Sequence, residues 1–168
     1  SNTNTQSKEC LQSFMLHDAI QRQDHESIEH IVQSIDKTYI NKEDANQRTP
    51  LDLAVKKNDE DSVHLLLKNG AKISSFTEKL IKGKKIKKPS ILKLLLFCSL
   101  HNKPDLIEPL LKTLGKKSEY LDVNYLTQLV YIAALEKHIE KIFSVDSICG
   151  VLVEQTNTSG QLTLHVLA

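Results

Sequence analysis

Residues 48–73, RTPLDLAVKKNDEDSVHLLLKNGAKI, constrain the fold more than any other stretch of this chain. Leu51, Ala54 and Val55 recur at the i, i+3, i+4 spacing of one helical face, and Val63, Leu66 and Leu67 form a second stripe beyond the polar corner KKNDED. Pro50 suits a first helical turn, where its missing N–H would have no partner anyway. Asn58 or Asp59 is placed to cap the second helix, and Gly70 stands where a left-handed residue would end it. Helices this short are marginal in water and persist only by burying an apolar face. Two of them cannot cover each other fully, so the unit demands neighbours of its own kind.

The same stretch resembles an ankyrin repeat, whose period is about 33 residues and whose signature is T-P-L-H-x-A. Asp52 replaces the signature His, Gln47 and Asn58 stand where family members usually carry Gly, and Lys72 replaces the usual Asp. Further copies follow the same order of features. LHDAIQRQDHESIEHIV (16–32) places Ala19 at the position of Ala54, with Ile28, Ile31 and Val32 as its second stripe. LLFCSLHNKPDLIEPLLKTLG (95–115) places Cys98 there, with Ile107, Leu110 and Leu111 behind it, and Pro109 requires that helix to start near Pro104 or Asp105. VYIAALEKHIEKIFSVDSI (130–148) is a weaker copy around Ala133, and NTSGQLTLHVLA (157–168) resembles the start of a fifth unit, with Gly160, Leu164 and His165 placed as in G-x-T-P-L-H.

The small positions Ala19, Ala54, Cys98, Ala133 and Leu167 are spaced 35, 44, 35 and 34 residues apart. The expected fold is therefore an all-α ankyrin-repeat solenoid of about four helix-turn-helix repeats plus the start of a fifth. The expected layout is a flexible tail over 1–10 and an ankyrin-repeat domain over 11–168. Repeats fall near 14–41, 44–74, 91–120 and 126–150, with a partial unit at 157–168. The interval of 44 implies an insertion of about ten residues against the family period, expected as a basic surface loop over 75–90. Ending inside a repeat, without a polar capping helix, suggests a fragment of a longer protein.

Composition supports helix-on-helix packing: aromatics make up 5%, Trp is absent, and five Gly with four Pro leave few turn formers for an all-β fold. The net charge of +1 supplies no global field toward nucleic acid or membrane. Three widely spaced cysteines, Cys10, Cys98 and Cys149, give neither a disulfide framework nor a zinc motif and point to a reducing compartment. The apolar run LKLLLFCSL is far too short to span a bilayer, and no signal-peptide pattern is visible. The expected location is the cytoplasm.

No catalytic constellation emerges. His25 and His30 are five apart, so they do not share a helical face as the histidines of HExxH do. Cys98 sits among apolar neighbours that raise a thiol's pKa, which makes core packing the better reading than pairing with His101 as a nucleophile. The five scattered glycines form no phosphate loop, and Glu60 and Asp61 occupy a polar corner. No metal and no cofactor is expected. For His17 and His165 the resemblance implies a structural hydrogen-bonding role at the repeat corner.

The resemblance also implies a protein-interaction module without catalysis of its own. Its partner-binding positions lie on the loops before the first helices and on the exposed faces of those helices. Carried over, these are Gln21 and Arg22 in the first repeat, Asn46, Arg48, Lys56 and Lys57 in the second, Leu100 and His101 in the third, and Glu136 in the fourth. Arg22, Arg48, Lys56 and Lys57 would tint this groove positive, which favours a protein partner with an acidic segment; the chain itself is expected to be monomeric. Two alternatives stand beside this reading. One makes the chain the recognition arm of a larger enzyme, such as an effector secreted by an intracellular bacterial pathogen. The other makes it a nuclear or polyanion-binding adaptor acting through Lys82, Lys84, Lys85, Lys87 and Lys88. Without interleaved aromatics for stacking or Arg for bidentate contacts, that lysine run disfavours nucleic acid.

Overall fold

The computed structural model describes residues 2–116, 119 and 121–144. Every regular element among them is helical: α1 Asn2–Gln21, α2 His25–Ser34, α3 Pro50–Lys56, α4 Glu60–Lys68, α5 Ser75–Lys82, α6 Pro89–Asn102, α7 Ile107–Leu114, α8 Val123–Leu135 and α9 Ile139–Phe143. Cys149 and the fifth unit, with Gly160, Leu164 and His165, lie outside the described residues, as does the end of the fourth repeat. The chain divides into two compact units, Ser1–Lys79 and Leu80–Ala168, with the division falling inside α5.

In the first unit α1 packs on α2 and α3 packs on α4; the first helices of the two pairs then contact each other, as do the second helices. Leu16, Ala19 and Ile20 of α1 and Ile28 and Val32 of α2 are buried in the first pair, and Leu51, Ala54, Val63 and Leu66 in the second, all 0–1% exposed. Burying a Leu or Ile side chain contributes about 1.5–3 kcal/mol, and this shared core is what holds helices of seven to ten residues in shape. The second unit repeats the scheme with α6 on α7 and α8 on α9, joined through α6 to α8 and α7 to α9.

The corner between paired helices is built the same way three times. The backbone turns left-handed at Gln23 (φ 54°), Asn58 (φ 58°) and Lys137 (φ 62°). The next residue's N–H then returns to a carbonyl five residues back: Asp24 to Ala19 at 3.0 Å, Asp59 to Ala54 at 3.0 Å and His138 to Ala133 at 2.8 Å. Asp24 and Asp59 also cap the second helices, accepting from the N–H groups of Ser27 and Ser62. The other end of α4 closes at Gly70 (φ 97°): Ala71 N–H reaches Leu66 O at 2.9 Å and Gly70 N–H reaches Leu67 O at 3.3 Å, the paired bonds of a Schellman stop.

The third repeat departs from this corner. Pro104 has no N–H to return, so Lys103 takes φ −140° and its own N–H bonds Ser99 O at 2.9 Å. The residue equivalent to Ala19, Ala54 and Ala133 is consequently Ser99, 0% exposed, and not Cys98, which is half-buried. The true intervals are 35, 45 and 34 residues. This one-residue slip corrects the expectation for Leu100: it sits where Ile20 and Val55 sit and is 0% exposed, a core residue.

Two further expectations change. Residues 2–10 continue α1 instead of forming an irregular tail; they contain no Pro or Gly, and extending an existing helix needs no new nucleus. The 75–90 segment is likewise no plain loop. Ser75–Lys82 is helical, a turn follows at Gly83 and Lys84, and Ile81 and Ile86 are buried on either side of it. Lys85 N–H closes the turn on Leu80 O at 2.9 Å.

Candidate functional site

Position by position, the buried coupling between repeats of the first unit rests on one residue per first helix. In α1 this is His17, whose Nδ1 lies 2.7 Å from Ser13 O and whose Nε2 lies 3.0 Å from Arg48 O, 31 residues further on. In α3 the same place holds Asp52, 0% exposed. Asp52 Oδ2 accepts from Thr49 N–H at 2.9 Å, and Thr49 Oγ1 accepts from Asp52 N–H at 3.2 Å, a reciprocal capping box. Oδ1 accepts from the hydroxyls of Ser74 and Thr77, both at 2.6 Å. A ring that donates has become a carboxylate that only accepts, and the chain beyond α4 supplies two hydroxyl donors in answer.

A second link joins the pairs through the caps. His25 Nε2–H donates to both Oδ1 and Oδ2 of Asp59 at 2.9 Å, and Ser62 Oγ–H donates to Oδ2 at 2.6 Å. Burial raises the Asp59 pKa, but hydrogen bonds from the Ser62 hydroxyl, His25 and the Ser62 N–H outweigh it and hold the carboxyl below its ordinary value. Ser, His and Asp thus meet here in the wrong order for a hydrolase: the carboxylate bonds both partners, and Ser62, 1% exposed, has no base. Among the described residues no group of three or more His, Cys, Asp or Glu is arranged to hold a metal ion. None of the described helices is long and apolar enough to cross a membrane.

The exposed surface of the first helices is the other candidate. Gln21, Arg22, Lys56 and Lys57 are exposed, as expected. The positive tint is weaker than expected, however. Arg22 Nε lies 3.0 Å from Asp18 and its Nη1 3.5 Å from Asp24. Arg48 is half-buried, with its guanidinium carbon 3.8 Å from the centroid of the Phe76 ring and one N–H donated to Asn46 O at 3.1 Å. Lys56 and Lys57 carry the remaining charge. Asn46 tops a tight loop in which Asp44 Oδ1 accepts from the N–H groups of Asn46 and Arg48, and Gln47 takes φ 60°. Between this loop and α1 lies a cleft of about 360 Å³ lined by Cys10, Ser13, Phe14, His17 and residues 42–46. Phe14, 67% exposed, stands at its edge, and Leu11 (58%) and Met15 (47%) lie on the same helix. Sequence reasoning passed over these three; their i, i+3, i+4 spacing was the available signal.

In the second unit His101 and Glu136 come together, Nδ1 to Oε1 at 2.9 Å, across 35 residues. They occupy the exposed faces of α6 and the end of α8, so this pair of expected positions is contiguous while Leu100 drops out. Tyr131 (56%) and Leu135 (64%) are exposed on α8. Among the lysines of the basic segment, Lys84, Lys85 and Lys87 are exposed, Lys82 lies 4.0 Å from Asp105, and Lys88 is half-buried as the N-cap of α6.

Short helix pairs, joined by a repeated corner and coupled by buried residues one repeat apart, define a tandem helical-repeat protein. Residues 1–77 match the family model for ankyrin repeats (3 copies), and this part of the chain belongs to the ankyrin-repeat family. No curated protein and no solved structure matches the chain. Ankyrin repeats are in general protein–protein interaction modules and in general not catalytic.

Proposed function

We propose that this protein binds a protein partner through the first-helix face of its first unit and performs no chemistry on it. The observation that carries this reading is the exposed apolar row Leu11, Phe14 and Met15 beside the cleft at loop 42–46. An aromatic side chain two-thirds exposed at the rim of a cleft is the kind of anchor that dominates interface energetics once covered. Lys56 and Lys57, exposed on the adjacent α3, favour an acidic segment in the partner and would speed its approach.

Site-specific photo-crosslinking tests this. A benzophenone side chain at position 14 is expected to capture a partner in cell lysate, while the same group at His64 on α4 captures none. Changing Lys56 and Lys57 to Glu is expected to cut the yield at position 14 at least tenfold, in line with charge reversal beside a partner's acidic segment. Equal capture from positions 14 and 64, or capture indifferent to the Glu changes, would overturn the assignment.

A further inference from the structure

Charge in this chain is segregated to a degree that its net value of +1 conceals. Five of its 22 Lys and Arg lie within residues 82–88, which contain no Asp or Glu, leaving 17 basic against 21 acidic side chains elsewhere. The segment is also held in place. Ile81 and Ile86 are 3% and 6% exposed, Lys84 takes a left-handed φ of 54°, and the N–H groups of Lys84 and Lys85 return to the carbonyls of Ile81 and Leu80 at 3.1 and 2.9 Å. Lys84 sits in a closed turn, and Lys85 and Lys87 follow on the short connection to α6, on either side of the buried Ile86; all three are exposed. Asp105, itself exposed, lies 4.0 Å from Lys82 at the edge of the run.

We propose that the Lys82–Lys88 turn is a binding site for clustered phosphomonoester groups, as carried by a multiply phosphorylated lipid headgroup or a soluble inositol polyphosphate. Lysine binds phosphate as a compact point charge with rotatable donors, without the bidentate fork by which Arg, absent from the segment, reads base edges and planar anions. No aromatic lies between Lys82 and Lys88 on which a base would stack. A phosphodiester strand spreads single charges at about 3.4 Å intervals along its length and calls for an extended basic track. Phosphomonoesters place nearly two charges on each group, which suits three exposed lysines carried within four residues. The segment also bears no exposed apolar side chain to insert into hydrocarbon, since Ile86 and the adjoining Ile81 are both buried.

The test compares wild-type protein with the triple variant Lys84→Gln, Lys85→Gln, Lys87→Gln. Gln already occupies left-handed backbone at positions 23 and 47 of this chain, so the turn tolerates it at 84, and circular dichroism checks that both proteins are equally helical. Four probes are used: phosphatidylcholine vesicles containing phosphatidylinositol bisphosphate, vesicles of equal surface charge made with phosphatidylserine, soluble inositol hexakisphosphate, and a single-stranded oligonucleotide. Each lysine near an anionic surface is worth about fivefold, so the triple variant should bind the bisphosphate vesicles about a hundredfold more weakly. Binding to both phosphomonoester probes and weak binding to the other two supports the site. The ratio of vesicle to soluble affinity then assigns the source. Equal binding to phosphatidylserine vesicles or to the oligonucleotide, an equal loss from changing Lys68, Lys72 and Lys116 to Gln, or no binding by the wild type would overturn it.

Discussion

Asp52 is the residue at which this chain departs most informatively from its family. The signature calls for His, yet every group facing Asp52 is a donor: Thr49 N–H and the hydroxyls of Ser74 and Thr77. Restoring the family residue is therefore expected to harm the fold. Asp52→His places a ring in a site with 0% exposure and strands at least two donors. Its expected destabilisation is about 3 kcal/mol in urea unfolding, more than that of Asp52→Asn, which keeps one acceptor oxygen in place. A neutral or stabilising His would mean that the hydroxyl pair is incidental. Asp59 makes a second prediction at this scale. Its folded pKa lies below the unfolded value of about 3.9, so its contribution is fully present above that value and fades as pH falls through the folded pKa. Asp59→Asn keeps a capping oxygen for the Ser62 N–H but loses the charge-assisted bonds from the Ser62 hydroxyl and His25, so it should lower stability at neutral pH by about 1 kcal/mol and should flatten the acid limb of the stability–pH curve. An unchanged acid limb would remove Asp59 from the account. The signature position was legible in the sequence, but the reason for Asp was not, because its donors lie 22 and 25 residues downstream.

Register within an element explains most of what sequence reasoning placed correctly and most of what it misplaced. The first two repeats were legible because Thr49-Pro50, Gly70 and the alanines Ala19 and Ala54 pin the corners to particular residues. The third repeat offers no such pin. LLLFCSL reads equally well with Cys98 or Ser99 at the small position, and Pro104, which removes the corner hydrogen bond, settles it. The consequence is measurable: Leu100→Ala is expected to cost about 2–5 kcal/mol as a core truncation, whereas the adjacent His101→Ala stays within about 1 kcal/mol as the loss of an exposed pair. The reverse order, read by thermal or urea unfolding, would return Leu100 to the surface. The charges misled for a related reason. Asp18 four residues before Arg22 was a visible i, i+4 pair, but Phe76 under Arg48 lies 28 positions away and only folding reveals it. The helix α5 precedes the lysine run, and Phe76, Leu80 and Ile81 carry its helical spacing in the sequence.

At the scale of the molecule, the division into Ser1–Lys79 and Leu80–Ala168 can be tested against the hydrogen bonds that close the first unit. Its core residues, the His17 link to Arg48 and the Asp52 links to Ser74 and Thr77 all lie within it. Two stacked pairs are fewer than the three or so repeats an array normally needs, so the margin is thin and single contacts decide the outcome. A fragment ending at Lys79 keeps both hydroxyls on Asp52 and is expected to unfold cooperatively, with protected amides at Leu16 and Leu66 in hydrogen exchange. A fragment ending at Lys72 is only seven residues shorter and keeps every residue of α1 to α4. It nevertheless leaves a carboxylate at the core of its last repeat without the two hydroxyls, a loss of about 3 kcal/mol, comparable to the whole stability of so small an array. That shorter fragment should show little protection and a broad, non-cooperative transition. A chain ending at Lys79 with Ser74→Ala and Thr77→Ala separates these hydroxyls from the buried Ile73, which the shorter fragment also loses; wild-type stability in that variant would mean that Asp52 plays no part in closing the unit.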